Sequence, residues 1–223
     1  TTQIEALTTA QVPGLTTAQI ANMTTTQVEA IEAADLAKFS TAQIAAITST
    51  AVAKLTTTQV DALTSTQLGA LSTTSVANMT TTQIVALNTT QVPGLTTAQI
   101  ANMTTTQVEA LEAADLAKFS TAQMAAITST AAAKLTTTQI EALGSAQVGA
   151  LTTSALANLT TTQIVALTTA QIPGLTTAQI ANMTTTQVAA IEATDLAKFS
   201  TAQMAAITST AAAQRTKNLN EHR

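Results

Sequence analysis

The sequence predicts an all-α fold: an elongated α-solenoid, or superhelix, of very short capped helices, one per eight residues. Three observations predict it. An eight-residue period, clean in Leu95-Thr96-Thr97-Ala98-Gln99-Ile100-Ala101-Asn102, runs from Leu7 to Gln214 through twenty-six octads with no insertion or deletion. Each octad carries a helix start signal. Each also carries a stop signal.

The start signal occupies positions 2 and 5. Position 2 is mostly Thr or Ser, with Asn88 and Gly144 as variants, and these are the residues that helix N-caps prefer. Position 5 is usually Gln, three residues later. Ser/Thr-x-x-Gln is a capping box: the hydroxyl accepts from the N3 amide, and the Gln side chain reaches back to the N–H of the cap. Positions 1 and 6 are apolar and stand at N′ and N4, where a hydrophobic staple forms. The stop signal is position 8: Gly, Asn, Lys or Ala. Gly and Asn tolerate the left-handed geometry that commonly ends a helix. A helix from position 3 to about position 7, then a tight turn, follows.

Rival folds fit less well. A continuous helix advances about 100° per residue, so its apolar stripe would rotate by roughly 80° per octad. In a strand, positions 1 and 6 point to opposite faces. A β-solenoid, the alternative, could bury one of them, although Ala and Gln are not favoured strand residues. Disorder is at odds with 46% hydrophobic and only 9% charged residues. Helices of this length are not stable alone in water, so octads must stack on neighbours. Small Ala at positions 7 and 8 permits close packing. The expectation is a superhelix of either hand, with a thin apolar core and two octads per coil.

In chain order, Thr1 to Ala6 reads as the tail of an octad entered at position 3. There is no initiator Met, no signal peptide and no run of about 20 apolar residues, so the chain is expected to be a segment of a longer array. Residues 1–214 form one repeat solenoid and 215–223 a polar C-terminal tail. A second period of 80 residues overlies the octads: Leu15 to Ala46 returns at Leu95 to Ala126 and at Leu175 to Ala206.

Three octad types depart from the rule. Val12-Pro13-Gly14 recurs as Val92-Pro93-Gly94 and Ile172-Pro173-Gly174. Pro removes a backbone donor and clashes with the preceding turn, so these helices should be cut to about one turn, an early stop rather than a joint. The octad from Ile31 to Lys38, repeated from Leu111 and Ile191, lacks a Thr cap. Its acids near the helix start and Lys at the end suit the macrodipole. Glu32 and Asp35 are read as a solvated charged face, because two carboxylates at i, i+3 without further oxygens make a poor metal site. In the octads from Ile47, Ile127 and Ile207, Ala51, Ala131 and Ala211 replace Gln, and Ala132 and Ala212 also lose the position-6 anchor. Local softness is expected there. The tail begins with Arg215 where an apolar leader belongs, and is read as a polar cap on the core. His222, the only histidine, is expected to be exposed.

Composition excludes several functions. A formal charge of −4 leaves no basic surface for a phosphate backbone. With no Cys, there is neither a disulfide framework nor a thiolate metal site. Trp and Tyr are absent, and the aromatic residues are Phe39, Phe119 and Phe199. No Ser/His/Asp or Cys/His set can be assembled, and the six Gly are scattered. The expectation is a non-enzyme with no catalytic, cofactor-binding or metal-ligating residues, no cofactor and no membrane insertion. Asn22-Met23-Thr24 and its copies match the N-x-Thr acceptor pattern, but the match follows from the octad itself. Met23, Met103 and Met183 at position 1, and Met124 and Met204 at position 6, read as core.

Octads such as Leu15 to Asn22 and Phe39 to Ala46 resemble the LTTAQ-type octapeptide-repeat regions of very large secreted bacterial surface proteins of the adhesin or haem-utilisation kind. The resemblance covers nearly the whole chain. It implies an extracellular location at the bacterial cell surface and a spacer or stalk joined to flanking domains of a longer chain. The opening Leu-Thr-x-x-Gln-Val/Ile-x-Ala is also similar to the first helix of a TAL-effector repeat. The period of 8, the missing base-reading loop and the negative charge speak against DNA binding. Two other functions fit the sequence: an extended-ligand module using rows of Thr at positions 3 and 4, for ice or polysaccharide, and a homotypic array that self-associates. The Thr rows need an exposed face; caps turned inward would rule them out.

Overall fold

In each octad the chain turns into a helix at position 2 and out of it at position 1 of the next. Thr104 is extended (φ −69°, ψ 158°), its hydroxyl accepts from the Gln107 amide, and the helix Thr105–Ala110 follows. Leu111 is again extended, φ −60°, ψ 136°. The capping box forms at Thr16, Ser40, Thr56, Thr96, Thr136 and Thr176, among others. The computed structural model describes residues 2–207. Among them there are only short helices, of three to six residues up to residue 196, joined by short turns, and no strand; the helix at 201–207 is the last described segment. The β-solenoid alternative is excluded. The octad at 207–214, the tail at 215–223 and His222 carry expectations that lie outside the described residues.

The described residues fall into two compact units, divided between Lys118 and Phe119. In the first, helix Thr17–Ala21 packs on Thr41–Ala46, Thr41–Ala46 on Ser65–Ala70, and Thr73–Ala77 on Thr97–Asn102. In the second, Thr121–Ala126 packs on Ser145–Ala150, and Thr161–Val165 on Thr185–Ala190. Each partner lies three octads along the chain. The coil therefore closes after three octads or slightly more, and the expected two per coil is corrected. Two helices whose axes lie 8–10 Å apart enclose no interior; a third is needed to surround the two apolar residues that every octad sends inward.

Those residues are the leader and position 6. Leu95, Ile100 and Met103 are buried, as are Phe39, Phe119, Leu63, Val60, Leu135 and Ile140. Met124 is fully buried, whereas Met204, expected in the core, is 39% exposed. Met204 belongs to the last described octad, and the octads that follow in sequence lie outside the described residues.

The stop differs from the expected one. No described residue, glycine included, has a positive φ. The helix instead ends through a tightened last turn: the leader's N–H bonds to the position-6 carbonyl, as from Met103 to Ile100 at 3.1 Å. Two consecutive extended residues, leader and cap, then redirect the chain. Asn at position 8 acts through its side chain: Asn22, Asn102 and Asn182 donate Nδ2 to the carbonyls of Ala18, Ala98 and Ala178, each at 2.8 Å.

Glycine serves close approach. A Cβ on Gly94 would stand 2.0 Å from the Ser65 carbonyl oxygen, and one on Gly69 2.5 Å from that of Gly94. Gly149, Gly174 and Ser145 repeat the arrangement in the second unit. The Pro octads are cut short as expected, to 3-10 turns at Val12–Gly14, Val92–Gly94 and Ile172–Gly174.

Candidate functional site

The most organised polar feature is a row of buried glutamines. Gln59 Oε1 accepts from the N–H of its own cap, Thr56, at 2.8 Å. Its Nε2 donates to the Val28 and Ile31 carbonyls at 3.0 and 2.6 Å. Gln99 repeats this on Leu68 and Leu71 at 3.0 and 2.7 Å, Gln171 on Ile140 and Leu143 at 2.7 and 2.6 Å, and Gln187 on Leu156 and Leu159 at 3.0 and 2.7 Å. The acceptors lie 31 and 28 residues back: position 6 of one octad and the leader of the next. A helix end leaves carbonyls without partners. Here a Gln from the following coil supplies them, which is why no left-handed glycine is needed.

The capping box alone does not disclose this second bond. Its one trace in the sequence is that position 5 is Gln in eighteen of the twenty-six octads and never Glu. Either residue completes a capping box, but only Gln carries an amide N–H for the neighbouring coil.

The Asp octads contain the largest departure from expectation. Glu32 and Lys38 are exposed, but Asp35, Asp115 and Asp195 are only 2–4% exposed. They occupy position 5, which is buried from Asp35 onward whatever side chain it carries, whereas Gln11 and Gln19 of the first octads are exposed. The solvated face is thus corrected: two of its three charged positions are solvated and one is not. Oδ2 of Asp115 has no hydrogen-bond partner. Loss of water around Asp115, and then the nearby charge of Glu112, raise its carboxyl from 3.8 to about 6. Asp195 is raised for the same reasons, burial first and Glu192 second.

The Ala octads keep the cap but not the interhelix bond. Thr48 and Thr128 accept from the amides of Ala51 and Ala131 at 3.3 Å, and helices Ser49–Val52 and Ser129–Ala132 are four residues long. Ala51, Ala131 and Ala132 are buried all the same.

The Thr rows face outward. Across the described octads positions 2 to 4 are mostly exposed, for example Thr56, Thr57 and Thr58. Many of their hydroxyls pair with one another: Thr24 with Thr26 at 3.1 Å, Thr104 with Thr106 at 3.0 Å, Thr184 with Thr186 at 2.9 Å. A hollow of about 480 Å³ in the first unit is lined by Ile4, Leu15, Ala18, Gln19, Asn22, Met23 and Gln27, none of them titratable. Among the described residues no group of three or more His, Cys, Asp or Glu could hold a metal ion, and no helix is long and apolar enough to cross a membrane.

The fold and its row of glutamines define a tandem-repeat α-solenoid. The model of the ALTTAQ repeat matches at residues 1–25, 28–65, 62–97, 76–113, 108–145, 116–153, 133–168 and 153–185. The chain belongs to the ALTTAQ repeat family. Comparison with curated proteins and with solved structures finds no match.

Proposed function

We propose that this chain is a length-setting spacer: a non-enzymatic stalk segment of a secreted, adhesin-like bacterial surface protein, with flanking domains as its partners. The observation that carries the reading is the recurrence of the glutamine row. The same buried bonds, at the same 28- and 31-residue separations, recur in both units. The buried glutamines serve the fold, holding the cap of their own helix and the end of another. Such a frame extends by addition of like parts. The resemblance of octads such as Leu15 to Asn22 to the repeat regions of secreted surface proteins supports the extracellular part.

Inserting one more copy of residues 95–174 tests the spacer. Small-angle scattering should then give a radius of gyration about 1.36-fold larger, in proportion to length. Growth of only about 1.12-fold, as for a compact domain, would overturn it. Labelling of intact producing cells with an antibody to residues 95–174 tests the location. Labelling only after permeabilisation removes the surface from the proposal.

The exposure of positions 2 to 4 favours a second reading, in which the Thr rows contact an extended ligand such as ice or polysaccharide. Inhibition of ice growth, or retention on a polysaccharide matrix, lost on replacement of Thr57 and Thr58 by Asn would support it. Absence of both activities in the unmodified chain removes it.

A further inference from the structure

The glutamine row is interrupted by acid once in each 80-residue superrepeat, at Asp35, Asp115 and Asp195. Asp115 shows the consequence most plainly. Gln107, one octad earlier, sends its Nε2 to Val76 and Met79, and Gln99 sends its own to Leu68 and Leu71. The same count of 31 and 28 places the carbonyls of Ile84 and Leu87 opposite position 115. Asp115 is 2% exposed, and its Oδ2 has no partner. An ionised carboxylate has nothing to donate to these oxygens; a protonated one has an O–H. The Asp side chain is also one methylene shorter than Gln.

We propose that Asp115 is a proton-operated contact: protonated, its O–H replaces the Gln amide as donor toward the Ile84 and Leu87 carbonyls, and this coil contact tightens as the pH falls. Because the acid is shorter than Gln, closing the bond draws the two octads together. Asp35 and Asp195 are buried at the equivalent position, 80 residues to either side.

Few charges stand nearby. Glu112 shares the octad and is exposed; its charge favours the protonated acid. The stretch at 81–94, which carries the acceptor carbonyls, has no titratable side chain, and the carboxylate that meets it is that of exposed Asp61, whose Oδ1 accepts from Asn88 Nδ2 at 2.9 Å. The other titratable groups between 103 and 142 are Glu109, Lys118, Lys134 and Glu141, all exposed.

The sign is fixed by linkage. A carboxyl raised in the folded chain from 3.8 to about 6 holds its proton more tightly there than in the unfolded chain. The stabilisation is complete below pH 3.8 and is lost as the pH rises through 6. Between pH 7.5 and 5.0 the equilibrium for opening this contact should change roughly tenfold.

Hydrogen exchange on the full chain, corrected for intrinsic rates, tests this. Amides in helices Thr81–Val85 and Ala113–Leu116 should gain roughly tenfold protection from pH 7.5 to 5.0, and the carboxyl carbon of Asp115 should titrate near pH 6 by NMR. In Asp115→Asn the gain should vanish at those amides, while Glu29→Gln, at an exposed acid remote from both helices, should leave it intact. A midpoint near 4 for Asp115, or equal protection at the two pH values in the unmodified chain, overturns the proposal. These two readouts need no variant, so they decide the matter even if Asp115→Asn does not fold.

Discussion

One amide group of Gln99 serves two helices. Oε1 holds the N–H of Thr96 at 2.7 Å, and Nε2 holds the Leu68 and Leu71 carbonyls. The two halves can be separated by substitution. Gln99→Ala removes both, leaving the Leu71 carbonyl without its donor and the Leu68 carbonyl with only the Leu71 N–H at 3.3 Å, at a cost of about 1–3 kcal/mol. Gln99→Glu keeps the acceptor for Thr96 but sets a buried carboxylate against two carbonyl oxygens. At pH 7 it should cost more than the Ala variant, about 3–5 kcal/mol, and should recover part of that at pH 4.5, where the acid can donate. Urea denaturation at both pH values checks the order; Glu no worse than Ala at pH 7 would mean that the Nε2 donor counts for little. The local half of this residue's role is legible in the sequence, because a capping box closes within four residues. The other half joins atoms 28 and 31 residues apart, and no local pattern specifies that separation. Asp115 misleads for a related reason: acids are usually solvated, whereas here the octad frame decides burial.

At the scale of the element, each helix is set by its cap and by how closely the next coil can approach. Thr96→Ala should cost about 1 kcal/mol, and Thr97→Ala, on the exposed side of the same octad, less than about 0.5 kcal/mol. The glycines give a sharper contrast. In Gly94→Ala the new methyl would meet the backbone of Ser65 at 2.0 Å, so the coils must separate, at about 1–3 kcal/mol. In Gly14→Ala nothing lies within 4 Å, and φ is negative, so the variant should be neutral or more stable by about 0.5 kcal/mol. Thermal melts of the two variants test the pair; equal destabilisation would mean that conformation, not space, selects glycine. Helix starts and the shortened Pro turns are readable from sequence because Thr, Gln and Pro act on their own octad. The reason for glycine is not, since it lies in a neighbouring coil. The recurrence of Gly69 with Gly94, and of Gly149 with Gly174, at the same spacing is its only trace.

For the whole molecule, the repeat frame makes register more important than composition. Deleting residues 95–102, one octad, leaves every Gln facing a position-6 and a leader carbonyl. Deleting only 95–98 moves Gln99 and Gln107, whose acceptors lie across the cut, out of phase with them. The longer deletion should therefore retain the helical circular dichroism per residue and a cooperative melt, while the shorter one should lose helicity around the cut and melt at lower temperature. The opposite order would show that the 28- and 31-residue separations do not organise the fold. Fold class was legible at this scale because twenty-six octads share one phase. The number of octads per coil was not, because it depends on how many helices are needed to enclose two inward side chains, a property of no single octad.

The bonds of the glutamine row also have a direction in time. In the pairs made by Gln99 and Gln187, as in the others described, the acceptor precedes its donor by 28 to 31 residues. A nascent chain, leaving the ribosome amino end first, therefore presents each pair of carbonyls before the amide that will hold them. The wait is only about four octads, and a helix just made never needs a partner from the far end. Assembly can keep pace with translation, each new octad locking one already outside, so the length of unsatisfied chain stays constant however long the array becomes.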